Sequence, residues 1–180
     1  MMKNLLIPTD GSDFSRTAIA YGIYIARKFS SKLTGLHVMD VRLMQVSTFQ
    51  ETSETGNYSL NDSLIPAIEK NLHAKADAIL KEFHEQCRAS GLVTDTKKTL
   101  GIVGDAIIEE GKAADCIILS QRGEHSRIGS GILGSTVESV IRRAGRPVMV
   151  APQSFQEIES MALAYDGSPP ADHALKLAVE

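Results

Sequence analysis

The sequence predicts an α/β protein with an open five-stranded parallel sheet and helices on both faces. Five short apolar runs rich in branched residues alternate with longer segments of helical spacing, the rhythm of successive βαβ units. Right-handed crossovers turn such units into a parallel sheet covered on both sides, and strands buried on both faces read as near-continuous apolar runs. Pro8 closes the first run, at a position where a strand stops and no ladder donor is needed.

Taken in order, the first strand is Leu5 to Pro8, followed by the turn Thr9-Asp10-Gly11 and a helix from Ser12 to Phe29. Ser12 and Asp13 supply an N-cap and an acidic first turn, while Ala18, Ile19, Gly22, Ile23 and Ala26 recur at three- and four-residue steps as its buried face. Leu33 to Met39 is the second strand. Between Arg42 and Ser59 the composition turns to Gln, Ser, Thr, Glu, Gly and Asn without apolar period, which marks a surface insertion. A long helix is expected from about Leu60 to Ser90, with its charge-rich stretch from Glu69 to Arg88 a solvated face. A weaker strand spans Val93 to Leu100, a helix Asp105 to Ala114, a strand Cys116 to Leu119, a helix Ser135 to Ala144 and a last strand Val148 to Ala151.

Near the C-terminus, Asp166-Gly167-Ser168 repeats Asp10-Gly11-Ser12, and Met161 to Tyr165 resembles the strand Leu5 to Thr9. Ala174, Leu175 and Ala178 repeat the helical face, and Pro169 suits a first helical turn. Residues 1–152 are therefore expected to form one domain, 153–158 a linker, and 159–180 the first strand and helix of an incomplete second copy. One strand and one helix cannot bury both apolar faces, so that tail must dock on the first domain, pair with another chain or be disordered.

With 180 residues, 43% hydrophobic and 23% charged, the chain can build its own core, and two cysteines are too few for a disulfide framework. A net charge of −3 with no basic run argues against a nucleic-acid groove. Leu5-Leu6-Ile7 is too short for a secretory leader, and no run approaches a membrane span, so a cytoplasmic location is expected.

Ligands of open parallel sheets bind beyond the carboxyl ends of the strands, and two polar segments fall there. One is Pro8 to Ser12. The other is the glycine-rich run from Ser120 to Thr136, which ends at the start of a helix. Glycines let backbone amides approach anionic oxygens, and a helix N-terminus attracts them. Ser135 and Thr136 can add hydroxyl donors, and Arg122 and Arg127 can add charge. No GxxxxGK[ST] occurs, no GxGxxG follows the first strand, and there is no SGGxDS. His37, in an apolar strand, is expected to be a satisfied core residue, and His125 a solvated loop residue. No nucleophile with a recognisable base, no paired carboxylates and no metal-ligand cluster stand out in the sequence.

The order of these segments resembles the universal stress protein family, of the kind with two domains in tandem. The resemblance is carried by Ile7-Pro8-Thr9-Asp10-Gly11-Ser12, Leu36-His37-Val38-Met39-Asp40, Ala114 to Leu119, Leu133-Gly134-Ser135-Thr136 and Arg146-Pro147-Val148-Met149-Val150. It implies a Rossmann-like sheet in the order 3-2-1-4-5, of the adenine nucleotide alpha hydrolase type, and homodimerisation through the last strand (Val148, Met149, Val150). It further implies a bound adenine nucleotide, ATP with or without Mg²⁺, used as a signal rather than efficiently hydrolysed. Pro8, Thr9 and Val38 would then line the base pocket and Asp10 would meet the adenine or ribose. Leu119 and Ser120, at the end of the fourth strand, would also contact the nucleotide, the Ser120 hydroxyl through a ribose or phosphate oxygen, and Gly123, Gly134, Ser135 and Thr136 would hold phosphates, with Arg127 adding charge. The chain departs from the family's GxxG, nine residues, G[ST] pattern: Ser120 replaces the first glycine, and ten residues separate Gly123 from Gly134. The alternatives are a dimeric interaction protein that binds no nucleotide and, third, a slow ATPase.

Overall fold

The computed structural model describes residues 2–43, 64–123 and 133–179. Five parallel strands form one sheet: β1 (Asn4–Pro8), β2 (Lys32–Asp40), β3 (Thr94–Gly101), β4 (Cys116–Ser120) and β5 (Val148–Ala151). Their spatial order is β3-β2-β1-β4-β5. The helices are α1 (Asp13–Phe29), α2 (Leu64–Ala89), α3 (Val103–Gly111), α4 (Ser135–Arg143) and α5 (Pro169–Ala178). Among them, none is long and apolar enough to cross a membrane.

Strand alternation explains the two layers. Leu5, Ile7, Leu33 and Ile118 pack with Ala18, Ile19, Ile25, Phe83 and Cys87 of α1 and α2 on one face. Leu6, Leu36, Ile117 and Leu119 pack with Ile107, Val137 and Val140 of α3 and α4 on the other. Both cysteines are buried thiols, each pushed up to about 11 chiefly by loss of solvent.

The edge strand β3 reads weakly because it is mostly exposed and charged. Lys97 pairs with Glu110 at 2.6 Å and Lys98 with Asp77 at 2.6 Å, charges that also discourage edge-to-edge association. On α1 the buried face differs in part from the sequence reading. Tyr21 and Ile25 are buried with Ala18, Ile19, Gly22 and Ala26, while Ile23 is only half-buried.

The start of β1 is tied to the start of β4 by Asp115. Its Oδ2 accepts from the backbone N–H of Asn4 at 2.8 Å and of Lys3 at 2.9 Å, and these two bonds, in that order, hold its carboxyl below the usual range. A carboxylate whose folded pKa is depressed stabilises the fold above its unfolded pKa of about 3.9 and loses that contribution as pH falls through the folded value. Asp115→Asn is therefore expected to lower stability by about 0.5–1 kcal/mol at pH 7. In urea melts compared by pH, the gap between the two proteins should shrink as pH falls below about 3.9 and through the folded value; a gap that stays constant would assign the loss to something other than the carboxylate.

Beyond β5 the chain does not leave the domain as a free linker. Phe155 packs its ring 4.9 Å from that of Tyr21 and 5.8 Å from that of Tyr24. Thr17 Oγ1 donates to the Gln153 carbonyl at 3.2 Å, and the Gln156 N–H donates to the Tyr21 hydroxyl at 3.2 Å. Residues 153–156 are thus a strap on α1, and it buries Tyr21.

The expected strand at Met161 to Tyr165 is not formed, and Met161 is 68% exposed. A lone strand has no partner for its N–H and C=O groups, so local propensity cannot hold it. The helix that follows does form. Its Asp166-Gly167-Ser168 turn takes the same shape as Asp10-Gly11-Ser12: glycine φ is +77° against +80°, and the serine N–H donates to aspartate Oδ1 at 2.9 Å against 3.0 Å. The serine Oγ accepts from the third residue on at 3.3 Å in both. The tripeptide therefore codes its own conformation, with glycine supplying the left-handed φ.

Candidate functional site

The carboxyl ends of β1, β2 and β4 open into a cleft of about 310 Å³. Because β2 and β4 flank β1 on opposite sides, the chain reverses direction across the sheet at this point, where a parallel sheet leaves a crevice.

The floor is the turn after β1. The Thr9 N–H donates to the Leu36 carbonyl at 2.8 Å, extending the β1–β2 ladder one residue past Pro8. Thr9 is buried, and its Oγ1 donates to Ser15 Oγ at 3.1 Å, which in turn donates to the Ser12 carbonyl at 2.8 Å. Asp10 Oδ1 accepts from the Ser12 N–H at 3.0 Å and from the Ser12 hydroxyl at 2.6 Å. Asp10 also meets the glycine loop: a Cβ on Gly123 would stand 2.8 Å from Asp10 Oδ2. Any other residue there would require the carboxylate to shift.

Opposite, the glycine-rich loop is closed at its base by the Gly134 N–H, which donates to the Gln121 carbonyl at 3.1 Å. Ser120, the departure from a glycine pattern, has no left-handed backbone and donates its Oγ proton to the Arg122 carbonyl at 2.8 Å, tightening the turn. Gly134 is the N-cap of α4, with φ −72° and ψ 150° and no side-chain cap bond. In contrast, α1 and α5 are capped by the hydroxyls of Ser12 and Ser168. The helix starting at the cleft thus has first-turn N–H groups that no N-cap side chain engages. Among the described residues a Cβ on Gly134 would meet nothing closer than 3.8 Å, so none of them, and no dihedral angle, demands a glycine there.

Pro8, Thr9, Asp10, Val38, Leu119, Ser120, Gly123, Gly134, Ser135 and Thr136 all line this one cleft. Arg127 and His125 lie outside the described residues, as does the insertion from 44 onwards. Arg122 lines the cleft as well. The far wall contains residues the sequence pattern did not single out: Leu72 and Lys75 of α2, and Val103 and Ile107 of α3. A signal existed for the first pair, since Leu72, Ala76, Ile79 and Phe83 continue one apolar stripe, but a stripe does not say what its end overhangs. At the end of β2, Asp40 holds Arg42 through paired contacts of 2.9 and 2.5 Å, which raise the arginine's pKa further.

The geometry is that of a crevice where a parallel α/β sheet reverses its strand order: Leu36, Val38, Met39 and Leu72 stand at the β2 end, a carboxylate turn in the middle and a helix N-terminus without a side-chain cap at the other end. The model of the universal stress protein family matches residues 1–152, and the chain belongs to this family. It is 31% identical over 176 residues to universal stress protein Slr1230 of Synechocystis, an alignment covering 93% of this chain and 61% of that protein. The chain thus spans about three-fifths of that relative's length. It is 30% identical to universal stress protein MJ0531 of Methanocaldococcus jannaschii, over 87% of this chain and 86% of the relative. Among solved structures, universal stress protein UspA of Lactobacillus plantarum superposes with a TM-score of 0.65 at 24% identity, over 83% of this chain and 97% of that one. A universal stress protein in complex with cAMP gives 0.59 at 22%, over 85% and 98%. One from Archaeoglobus fulgidus in complex with dAMP gives 0.52 at 16%, over 84% and 98%. At these identities the superpositions establish a shared fold.

Proposed function

We propose that the protein binds an adenine nucleotide in this cleft, ATP carrying Mg²⁺ on its phosphates being the full ligand, and uses occupancy as a signal in a cytoplasmic stress response. The observation that carries the reading is Gly134: a glycine that no described neighbour and no dihedral angle requires, at the start of a helix whose first amides no N-cap side chain engages. A ligand phosphate supplies the missing reason. Pro8, Thr9, Val38 and Leu119 would surround the base, Asp10 would face the ribose, and Gly123, Gly134, Ser135 and Thr136 would hold the phosphates. Ser120 would shape the loop rather than touch the ligand, and Arg127 would add charge. The adenine nucleotides named for two structural neighbours support the ligand class.

The test is calorimetric titration of the purified protein with Mg-ATP, together with a thermal melt. Binding should release heat and raise Tm, by mass action on the folded state. Absence of both at millimolar nucleotide would overturn the proposal in favour of an interaction protein of the same fold.

A homodimer through β5 belongs to the same reading. β5 pairs with β4 on one side and is an edge strand, with Val148, Met149 and Val150 only half-buried. Sedimentation should show a concentration-dependent dimer, and Val150→Lys should return it to monomer; a wild-type monomer at every concentration would refute the interface. The tail 159–180 is proposed to be the opening of a second copy, on the strength of its matching turn and capped helix.

A further inference from the structure

We infer that His37 reads the base: its Nε2 accepts a hydrogen bond from an exocyclic amine of the ligand, so the cleft selects an amino-purine over a purine without that amine. The inference rests on the adenine-nucleotide reading and deepens it. His37 is nine-tenths buried and lines the cleft at the end of β2. Its Nδ1 lies 2.8 Å from the Thr9 carbonyl, and because a carbonyl can only accept, Nδ1 carries the proton. In the neutral ring this contact fixes the tautomer. Nε2 is then left as a bare acceptor.

Nε2 has no hydrogen-bond partner among the described residues. Every described side-chain nitrogen or oxygen that is sealed from solvent does have one, so Nε2 retains access to solvent. An acceptor of fixed tautomer, held by a backbone bond in a cleft that Leu36, Val38, Met39 and Leu72 also line, is placed to meet a donor on a flat ligand. The sheet order assigns that donor to the base. β2 lies on the opposite side of β1 from β4 and the open N-terminus of α4, so a ligand with phosphates at Gly134 puts its base towards β2.

The probes are ATP and purine riboside 5′-triphosphate, which lacks the 6-amino group. Wild type is expected to bind ATP about five- to tenfold more tightly, the effect of one hydrogen bond. His37→Asn keeps an N–H donor at the position of Nδ1 and so the bond to Thr9, but has nothing at Nε2. It should keep its Tm within about 2 °C, the change of a few tenths of a kcal/mol, and bind both nucleotides equally. His37→Gln, with its polar end at the Nε2 position and no donor at Nδ1, should lower Tm yet retain the preference for ATP. Equal affinities in wild type, or a preference that survives in His37→Asn, would overturn the inference while leaving nucleotide binding intact. No binding of either nucleotide by wild type would overturn both.

Discussion

Replacing Phe83 by alanine is expected to lower the unfolding free energy by roughly 3–5 kcal/mol, a large share of the ~5–15 kcal/mol typical of a domain. Phe83 is fully buried and joins α2 to the sheet. Its ring lies directly on the backbone of Gly35 in β2: a Cβ there would stand 2.5 to 2.8 Å from three ring carbons. The pair is one solution to one packing problem, a large side chain opposite none. Gly35→Ala alone should therefore cost about 1–3 kcal/mol by overpacking. In the Phe83→Ala background the same alanine should cost less, because the space its methyl needs is vacant. Urea unfolding of the four proteins measures the coupling, and simple additivity would show that ring and glycine do not share the space. Since α2 also supplies Leu72 and Lys75 to the cleft wall, Phe83→Ala should weaken nucleotide binding beyond what its stability loss explains.

The readable part of this fold was the part with local causes. Near-continuous apolar runs gave the parallel sheet because its strands are covered on both faces, and Asp10-Gly11-Ser12 was legible because the tripeptide takes its shape from local bonds, as Asp166-Gly167-Ser168 does elsewhere in the chain. What was missed depends on contacts distant in sequence. Tyr21 is buried because Phe155 folds back on it, more than a hundred residues later. Met161 to Tyr165 has a strand's composition but no partner. Lys75 sits on a helix that reads as solvated, and only the packing of that helix on β2 and β3 brings it to the cleft. His37 was readable as a satisfied histidine, but not which nitrogen was satisfied, and that detail sets its chemistry.

Gly134→Ser should move stability and binding in opposite directions, and for that reason it is the sharpest test of the site. The Gly134 backbone, at φ −72° and ψ 150°, suits any residue, and among the described residues the nearest atoms to an added Cβ are at 3.8 Å. Serine is among the best N-caps, so its hydroxyl is expected to accept from an N–H in the first turn of α4, as Ser12 and Ser168 do for α1 and α5. The unliganded protein should be unchanged or more stable by a few tenths of a kcal/mol. The same hydroxyl takes an amide that a phosphate would use and places a side chain where the anion must approach. Loss of one hydrogen bond to a charged group corresponds to roughly 10–100-fold in Kd. Gly123→Ala differs, because its Cβ collides with Asp10 Oδ2 at 2.8 Å and should lower both stability and affinity. A Gly134→Ser protein that melts no lower than wild type yet binds Mg-ATP at least tenfold more weakly places the phosphates on α4. Equal affinity would mean that the amides of this helix hold no phosphate, and the reason for a glycine at 134 would have to lie elsewhere.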